Sequence, residues 1–192
     1  FTLRARTATR PASQGANPWS DLGCREAVRL CAQHLAAAVA GDAAAREQMM
    51  WAATLAGIAF GNAGVHAPHA MAYAIAGRVR AFHPDGYPQG PIVPHGMAVA
   101  VSAPAVFARF AEHAPERHRD VAGLLGGGDL AAQVRALSLT IGVPAGITAV
   151  GYTAADIPDL VAGTLPQQRL LANAPCDVDA DCLHQLFHDA LA

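Results

Sequence analysis

The sequence predicts an all-α fold, a bundle of roughly seven to eight helices, and three observations carry that expectation. Hydrophobic residues fill 53% of the 192 positions while aromatics fill only 6%, so much of the apolar content is alanine, which favours close-packed helices over sheet. From Asn17 onward apolar residues recur at mixed three- and four-residue spacings. Sustained apolar–polar alternation is missing, and no strand pattern precedes a glycine-rich turn.

The elements follow in order. Asn17-Pro18 supplies a cap and a first-turn proline, Leu22, Val28, Leu30, Cys31, Leu35 and Val39 follow, and Gly41 ends the first helix. Asp42 caps a second, whose Met50, Leu55, Ile58 and Phe60 run into Gly61-Asn62 as its end; the two form an antiparallel pair joined by a tight turn. A third helix is expected over about 67–79, because Pro68 is tolerated only in a first turn. Residues 82–94, FHPDGYPQGPIVP, are too dense in Pro and Gly to be anything but loop. The next helix starts near His95-Gly96 and runs towards Phe110, with a kink expected at Pro104. Shorter runs cover about 115–125, 129–142, 153–164 and 178–191, and Thr153 with Asp156 has the spacing of a capping box. Gly126-Gly127-Gly128 lacks GK[ST] and follows a helical pattern, so it is a turn rather than a phosphate loop. The domain organisation expected is an irregular segment over 1–16, the cut edge of a longer chain, followed by one helical domain over 17–192.

Charge and composition exclude several functions. A formal net charge of −2 leaves no basic footprint for nucleic acid or anionic membrane, so a small molecule is the default partner. The Ala-rich segments are interrupted by polar residues too often to span a bilayer. FTLRARTATRPASQG is basic, Ser/Thr-rich and free of acid, which loosely fits a transit peptide, although the cut edge is preferred. Cys24, Cys31, Cys176 and Cys182 form no CxxC pair; Cys24 and Cys31 read as small core residues, and a reduced compartment is expected, cytoplasmic or, in a eukaryote, mitochondrial.

Chemistry would rest on histidines, since GxSxG and paired carboxylates in an apolar setting are both absent from the sequence. In GNAGVHAPHAMAYAIAG, His66, His69 and Tyr73 are spaced by three and four and share a helical face among Gly and Ala. By spacing alone these histidines are either hydrogen-bonded structural groups or ligands. A second candidate, His95 in VPHGM, follows a loop long enough to return it to His69, and two converging imidazoles suit iron or zinc. Tight binding needs three or four ligands. His184 and His188 have i, i+4 spacing with Asp181 a turn earlier but lack the glutamate of HExxH, so they read as a solvated face. His83, His113 and His118 are expected at the surface.

The same stretch, followed by VPHGMAVAVSAPAVFARFAEHAPERHRDVAGLLG, resembles the C-terminal helical domain of the iron-containing (group III) alcohol dehydrogenases, closest to the hydroxyacid-oxoacid transhydrogenase branch. RPASQGANPWSD, GYTAADIPDLVAGTLPQQR and NAPCDVDADCLHQLF extend the similarity over nearly the whole chain. The resemblance implies a two-domain enzyme that transfers hydride with metal assistance, its NAD(P) bound mainly by an upstream α/β domain absent from this chain. It implies Fe²⁺, or Zn²⁺, held by one Asp and three His, of which His69 and His95 match. Tyr73 takes the place of a residue beside the nicotinamide and is the catalytic candidate, His66 has no ligand role, and cofactor-binding residues stay unassigned. Asp-x-x-x-His, the upstream ligand pair of the family, does not occur here. Substrates would be small alcohols, hydroxyacids such as 4-hydroxybutyrate, or oxoacids such as 2-oxoglutarate, with Arg10, Arg78 and Arg80 as nearby cations. Alternatives are a maleylacetate or alcohol reductase of the same family and a stand-alone helical binding or oligomerisation module. A domain cut from its partner should expose apolar surface and either self-associate, as a homo-oligomer, or be marginally stable.

Overall fold

The computed structural model describes residues 15 to 191. The chain runs α1 (Pro18–Val39), α2 (Ala43–Ala63), α3 (Ala67–Gly77), α4 (His95–Ala100), α5 (Ala103–Phe110), α6 (Pro115–Leu124), α7 (Leu130–Thr140), α8 (Ile157–Thr164), α9 (Gln168–Leu171) and α10 (Ala180–Asp189), with 3₁₀ turns at Ile147–Val150 and Ala154–Asp156. The all-α expectation holds throughout the described residues.

The first pair forms as its caps dictate. The Asn17 side chain accepts from the Ser20 N–H at 3.0 Å with Pro18 in the first turn of α1, and Asp42 accepts from the Ala45 N–H at 2.7 Å to start α2. What joins the two helices is a seam of small side chains: Ala45, Ala52 and Ala59 are buried at seven-residue intervals against Ser20, Ala27 and Ala38. A Cβ at Gly23 would lie 3.0 Å from the Ala59 Cβ and 3.2 Å from the Leu55 carbonyl oxygen, so the backbones approach as closely as glycine allows. Because alanines face the partner, the larger residues point out, and Leu22, Met50 and Ile58 are 68%, 71% and 59% exposed. The sequence pattern had counted these three among the helices' apolar positions. α2 also continues through Gly61-Asn62 and ends only at Gly64, whose φ of 85° leaves the helical region.

The main core forms around α3. Ala67, Ala70, Met71, Ala72, Ala74 and Ile75 are at most 1% exposed, packed against α4, α5, α8 and α9. Phe110, Ile147, Leu160, Leu183, Leu186 and Phe187 complete this core. The Tyr152 hydroxyl donates to the Ile75 carbonyl at 2.5 Å, tying the second half of the chain to the central helix.

Several sequence expectations are corrected. The helix expected from His95 to Phe110 is two helices, because Pro104 occupies the first turn of α5 and the chain turns at Val101-Ser102 instead of kinking. The third helix ends at Gly77, and the run from 153 opens as a 3₁₀ turn before α8. α9 and the turn at Ile147–Val150 were missed, being too short for periodicity to register. Cys24 and Cys31 are only partly buried. The expected capping box is present: Asp156 accepts from the Thr153 N–H at 2.8 Å and from its hydroxyl at 3.0 Å.

Asp156 also receives Arg80. The guanidinium donates to both carboxylate oxygens at 2.6 and 2.9 Å and to the Gly151 carbonyl at 2.8 Å, and lies 5.5 Å from the Tyr152 ring centroid. The Arg80 hydrogen bonds, then that from the Thr153 backbone, hold the Asp156 carboxyl well below the usual carboxylate range.

Two sets of variants test this packing. Gly23→Leu is expected to cost about 1–3 kcal/mol by overpacking the seam, whereas Gly57→Ala, where an added Cβ meets nothing within 4 Å, should gain about 0.5–1 kcal/mol; thermal melts giving the same sign for both would contradict the close seam. Since the folded Asp156 pKa lies below an unfolded value of about 3.9, its contribution is whole above that pH and is lost as pH falls through the lower folded value. Asp156→Asn should therefore lower Tm at neutral pH, with the gap to the wild type closing in strong acid.

Candidate metal centre

α3 is buried on nearly every side, and the two large polar side chains of its first two turns emerge where that cover is missing. His69 is half-buried at the third position of α3, and Tyr73, one turn on, is 50% exposed. Pro68 in the first turn fixes the helix start, and the Ala neighbours let α4 and α8 pack close on either side.

The loop after α3 brings the second imidazole back. Its ends are pinned where the Ile92 N–H donates to the Phe82 carbonyl at 2.8 Å, and Val93 is buried at 2% exposure, so the chain re-enters the core directly before α4. His95 opens α4 after Pro94 and stands with its ring centroid 5.6 Å from His69 and 5.9 Å from Tyr73. Phe60, near the end of α2, lies 6.5 Å from His69 on the other side. Sequence spacing had marked Phe60 only as an apolar helix position.

The chemistry of this donor set fits a transition metal. With a metal–nitrogen bond of about 2.1 Å, two imidazoles on one ion have ring centroids about 5 Å apart, close to the observed separation. Burial, and then the neighbouring His95, push the His69 pKa down, favouring the neutral imidazole that has a lone pair to give. Among the described residues no third His, Cys, Asp or Glu joins the pair. The arrangement alone is thus half of a closed site.

The other candidates lie elsewhere. His66 caps α3 without a side-chain capping bond, and its Nδ1 is buried without a partner, against the sequence alternative of a hydrogen-bonded structural histidine. Burial, followed by the charges of His69 and His118, pushes its pKa down to about 4. His118, expected at the surface, is half-buried: its Nδ1 bonds the Ala114 carbonyl at 2.9 Å and its Nε2 is enclosed without a partner. Its ring meets Phe107 of α5 edge-on, with 6.0 Å between centroids. His83, His113, His184 and His188 are exposed, as expected. Arg80 is taken up by Asp156, Arg78 lies against Gly163 of α8, and Arg10 falls outside the described residues. No helix among the described residues is long and apolar enough to cross a membrane.

Known proteins resemble this chain over nearly all of its length. The profile described as "Fe-containing alcohol dehydrogenase family, C-terminal" matches residues 12–191. The mitochondrial hydroxyacid-oxoacid transhydrogenase of Homo sapiens is 42% identical over 197 aligned residues, covering 95% of this chain and 42% of that protein. A probable hydroxyacid-oxoacid transhydrogenase of Dictyostelium discoideum is 40% identical, with 95% and 36% covered. The crystal structure of a 1,3-propanediol oxidoreductase superposes with a TM-score of 0.81 at 30% identity, covering 93% of this chain and 47% of that one. The chain thus spans less than half the length of these relatives. Taken with a helical bundle that presents two histidines on one open side, the match over nearly every residue means that this chain belongs to the iron-containing alcohol dehydrogenase family, as its C-terminal helical domain.

Proposed function

We propose that residues 17–192 are the helical, metal-ligand-bearing domain of a two-domain oxidoreductase that moves hydride between a hydroxyacid and an oxoacid. The observation that carries this is the convergence of His69 and His95, at 5.6 Å, beside Tyr73. The 42% identity to a hydroxyacid-oxoacid transhydrogenase favours that substrate pair over a simple alcohol. The relatives' mitochondrial designation supports that compartment over the cytoplasm where the host cell has one.

His69 and His95 would hold the ion, iron being the metal for which the family is named, and nothing here favours zinc. When bound, iron supplies Lewis acidity at the substrate oxygen and NAD(P) supplies or accepts the hydride. The chain's own contributions are positional. His69 offers a neutral imidazole from a helix that cannot shift without disturbing a close-packed core. His95 is fixed by Pro94 and the pinned loop. Tyr73 and Phe60 form walls that orient a small substrate and exclude water from its reacting end. The resemblance assigns the remaining ligands, an Asp and a third His, to an upstream helix, and the dinucleotide site to an upstream domain. The exposed Trp19, Met50, Trp51 and Ile58 on the α1–α2 pair suit a surface covered in the complete protein by that domain or by a second copy.

The deciding assay uses the complete, iron-loaded protein: hydride should pass from a hydroxyacid to an oxoacid without added NAD. Turnover only with an alcohol and free NAD would assign it instead to alcohol reduction, as with the 1,3-propanediol oxidoreductase. His69→Ala and His95→Ala should each weaken metal binding at least about 100-fold, measured as bound iron after dialysis; full retention in either variant would remove that residue from the site. Tyr73→Ala should retain iron yet lower kcat/KM by about tenfold or more, as expected when a positioning contact is lost. The isolated 192 residues should bind iron weakly and transfer no hydride.

A further inference from the structure

Helix α2 is apolar on more sides than its neighbours cover. Residues 48–63, QMMWAATLAGIAFGNA, carry no charge, and α2 packs chiefly against α1, through Ala45, Ala52 and Ala59. On the side opposite that seam Met50, Thr54, Ile58 and Gly61 follow one another at helical spacing, with Trp51 beside them, and all five are exposed. A helix apolar all round belongs in an interior, so this outward face calls for a cover. The uncharged run is also shorter than the roughly 20 apolar residues of a bilayer span.

The face has room for close packing. Helical spacing sets Gly57 and Gly61 between Phe60 on one flank and Ile58 on the other, and a Cβ added to either glycine meets nothing within 4 Å. Glycine weakens a helix interior, and no contact among the described residues makes use of the space these two leave.

Where the preceding polypeptide arrives identifies the occupant. The Gly15 N–H donates to the Ala63 carbonyl at 3.0 Å, so the chain before Gly15 joins the described residues at the last turn of α2, where this face ends. The matched profile is that of a C-terminal region, and this chain covers only 42% of the human transhydrogenase and 47% of the propanediol oxidoreductase. Residues 1–14 could span at most about 50 Å, against about 30 Å for the length of a helix such as α2, so an element upstream of Phe1 can lie along α2 in either direction. A second copy seated there would compete with a segment already tethered at that end.

We propose that the outward face of α2 is the seat of an apolar helix from the part of the polypeptide that precedes Phe1. It lies along Gly57 and Gly61, with small and apolar side chains against Met50, Trp51 and Ile58. This rests on the reading of the chain as the C-terminal part of a longer enzyme and adds which surface the earlier part takes, and that it does so within one polypeptide. Phe60 stands 6.5 Å from His69, so the seated helix borders the candidate metal centre.

The test is hydrogen exchange on the complete protein, read by mass over residues 48–63 and over α3. Residues 48–63 should exchange within about tenfold of the α3 rate, and equally so at protein concentrations about 100-fold apart. Exchange about 100-fold or more faster than α3 means a bare face and overturns the proposal. Protection that disappears on dilution assigns the face to a second copy and overturns it too. Gly57→Ala gives a milder check. The gain expected of it holds while the face is bare, in the 192 residues alone; in the complete protein the added methyl meets the seated helix and should lower Tm by about 2–6 °C. A raised Tm there overturns the proposal. The hydride-transfer assay keeps the two readings apart: an active transhydrogenase with residues 48–63 unprotected sinks the seat alone, and protected residues in a protein that moves no hydride sink the functional reading alone.

Discussion

Everything at the candidate metal centre depends on the burial of α3. Its Ala67, Ala70, Met71, Ala72, Ala74 and Ile75 are enclosed by neighbouring helices, and small side chains are what let those helices come so close. A helix gripped in this way has one setting, because moving it would open cavities along its whole length. His69 and Tyr73 inherit that setting. The positional accuracy that His69 would need as a metal ligand is thus supplied by the alanines around it, and substitutions among them would act on chemistry only through displacement.

The α1–α2 pair follows the same logic with the opposite outcome. A seam of Ala45, Ala52 and Ala59 against Gly23 and Ala27 brings two long helices together with little side-chain bulk between them. Large apolar residues are left facing outward, and a helix apolar on both faces is suited to being covered on both. Phe60 joins this outer surface to the histidine pair, so the uncovered face and the candidate metal site are parts of one continuous surface. That continuity is the physical reason for regarding the helical domain as one side of a cleft.

The tie between Arg80 and Asp156 shows how a cation near a candidate site can have a wholly structural use. Arg80 lies a few residues beyond Tyr73 and has the charge to meet a carboxylate substrate, yet its donors are engaged by Asp156 and the Gly151 carbonyl. Proximity in sequence is a weak guide to partnership because a flexible side chain takes the best geometry within reach. Here that geometry was a capping box already fixed by Thr153.

The all-α class, the caps at Asn17 and Asp42, the capping box at Thr153 and the loop over 82–94 were all legible in the sequence, because each is decided by residues within a few positions of one another. So was the shared face of His69 and Tyr73, by helical spacing, while the pairing of His69 with His95 came from family resemblance and the reach of a loop. Other features depended on packing between distant segments. Whether Met50 and Ile58 faced in or out turned on alanines choosing the contact, and periodicity cannot rank two apolar faces of one helix. His118 was misplaced because the group against its ring, Phe107, lies on a different helix, α5, and His66 and His118 came to line one cavity only when α3 and α6 were set in space. Local chemistry in the sequence determined the helices and which side chains could serve a metal; the tertiary structure decided which of them meet, since burial and convergence are properties of surfaces that only packing brings together.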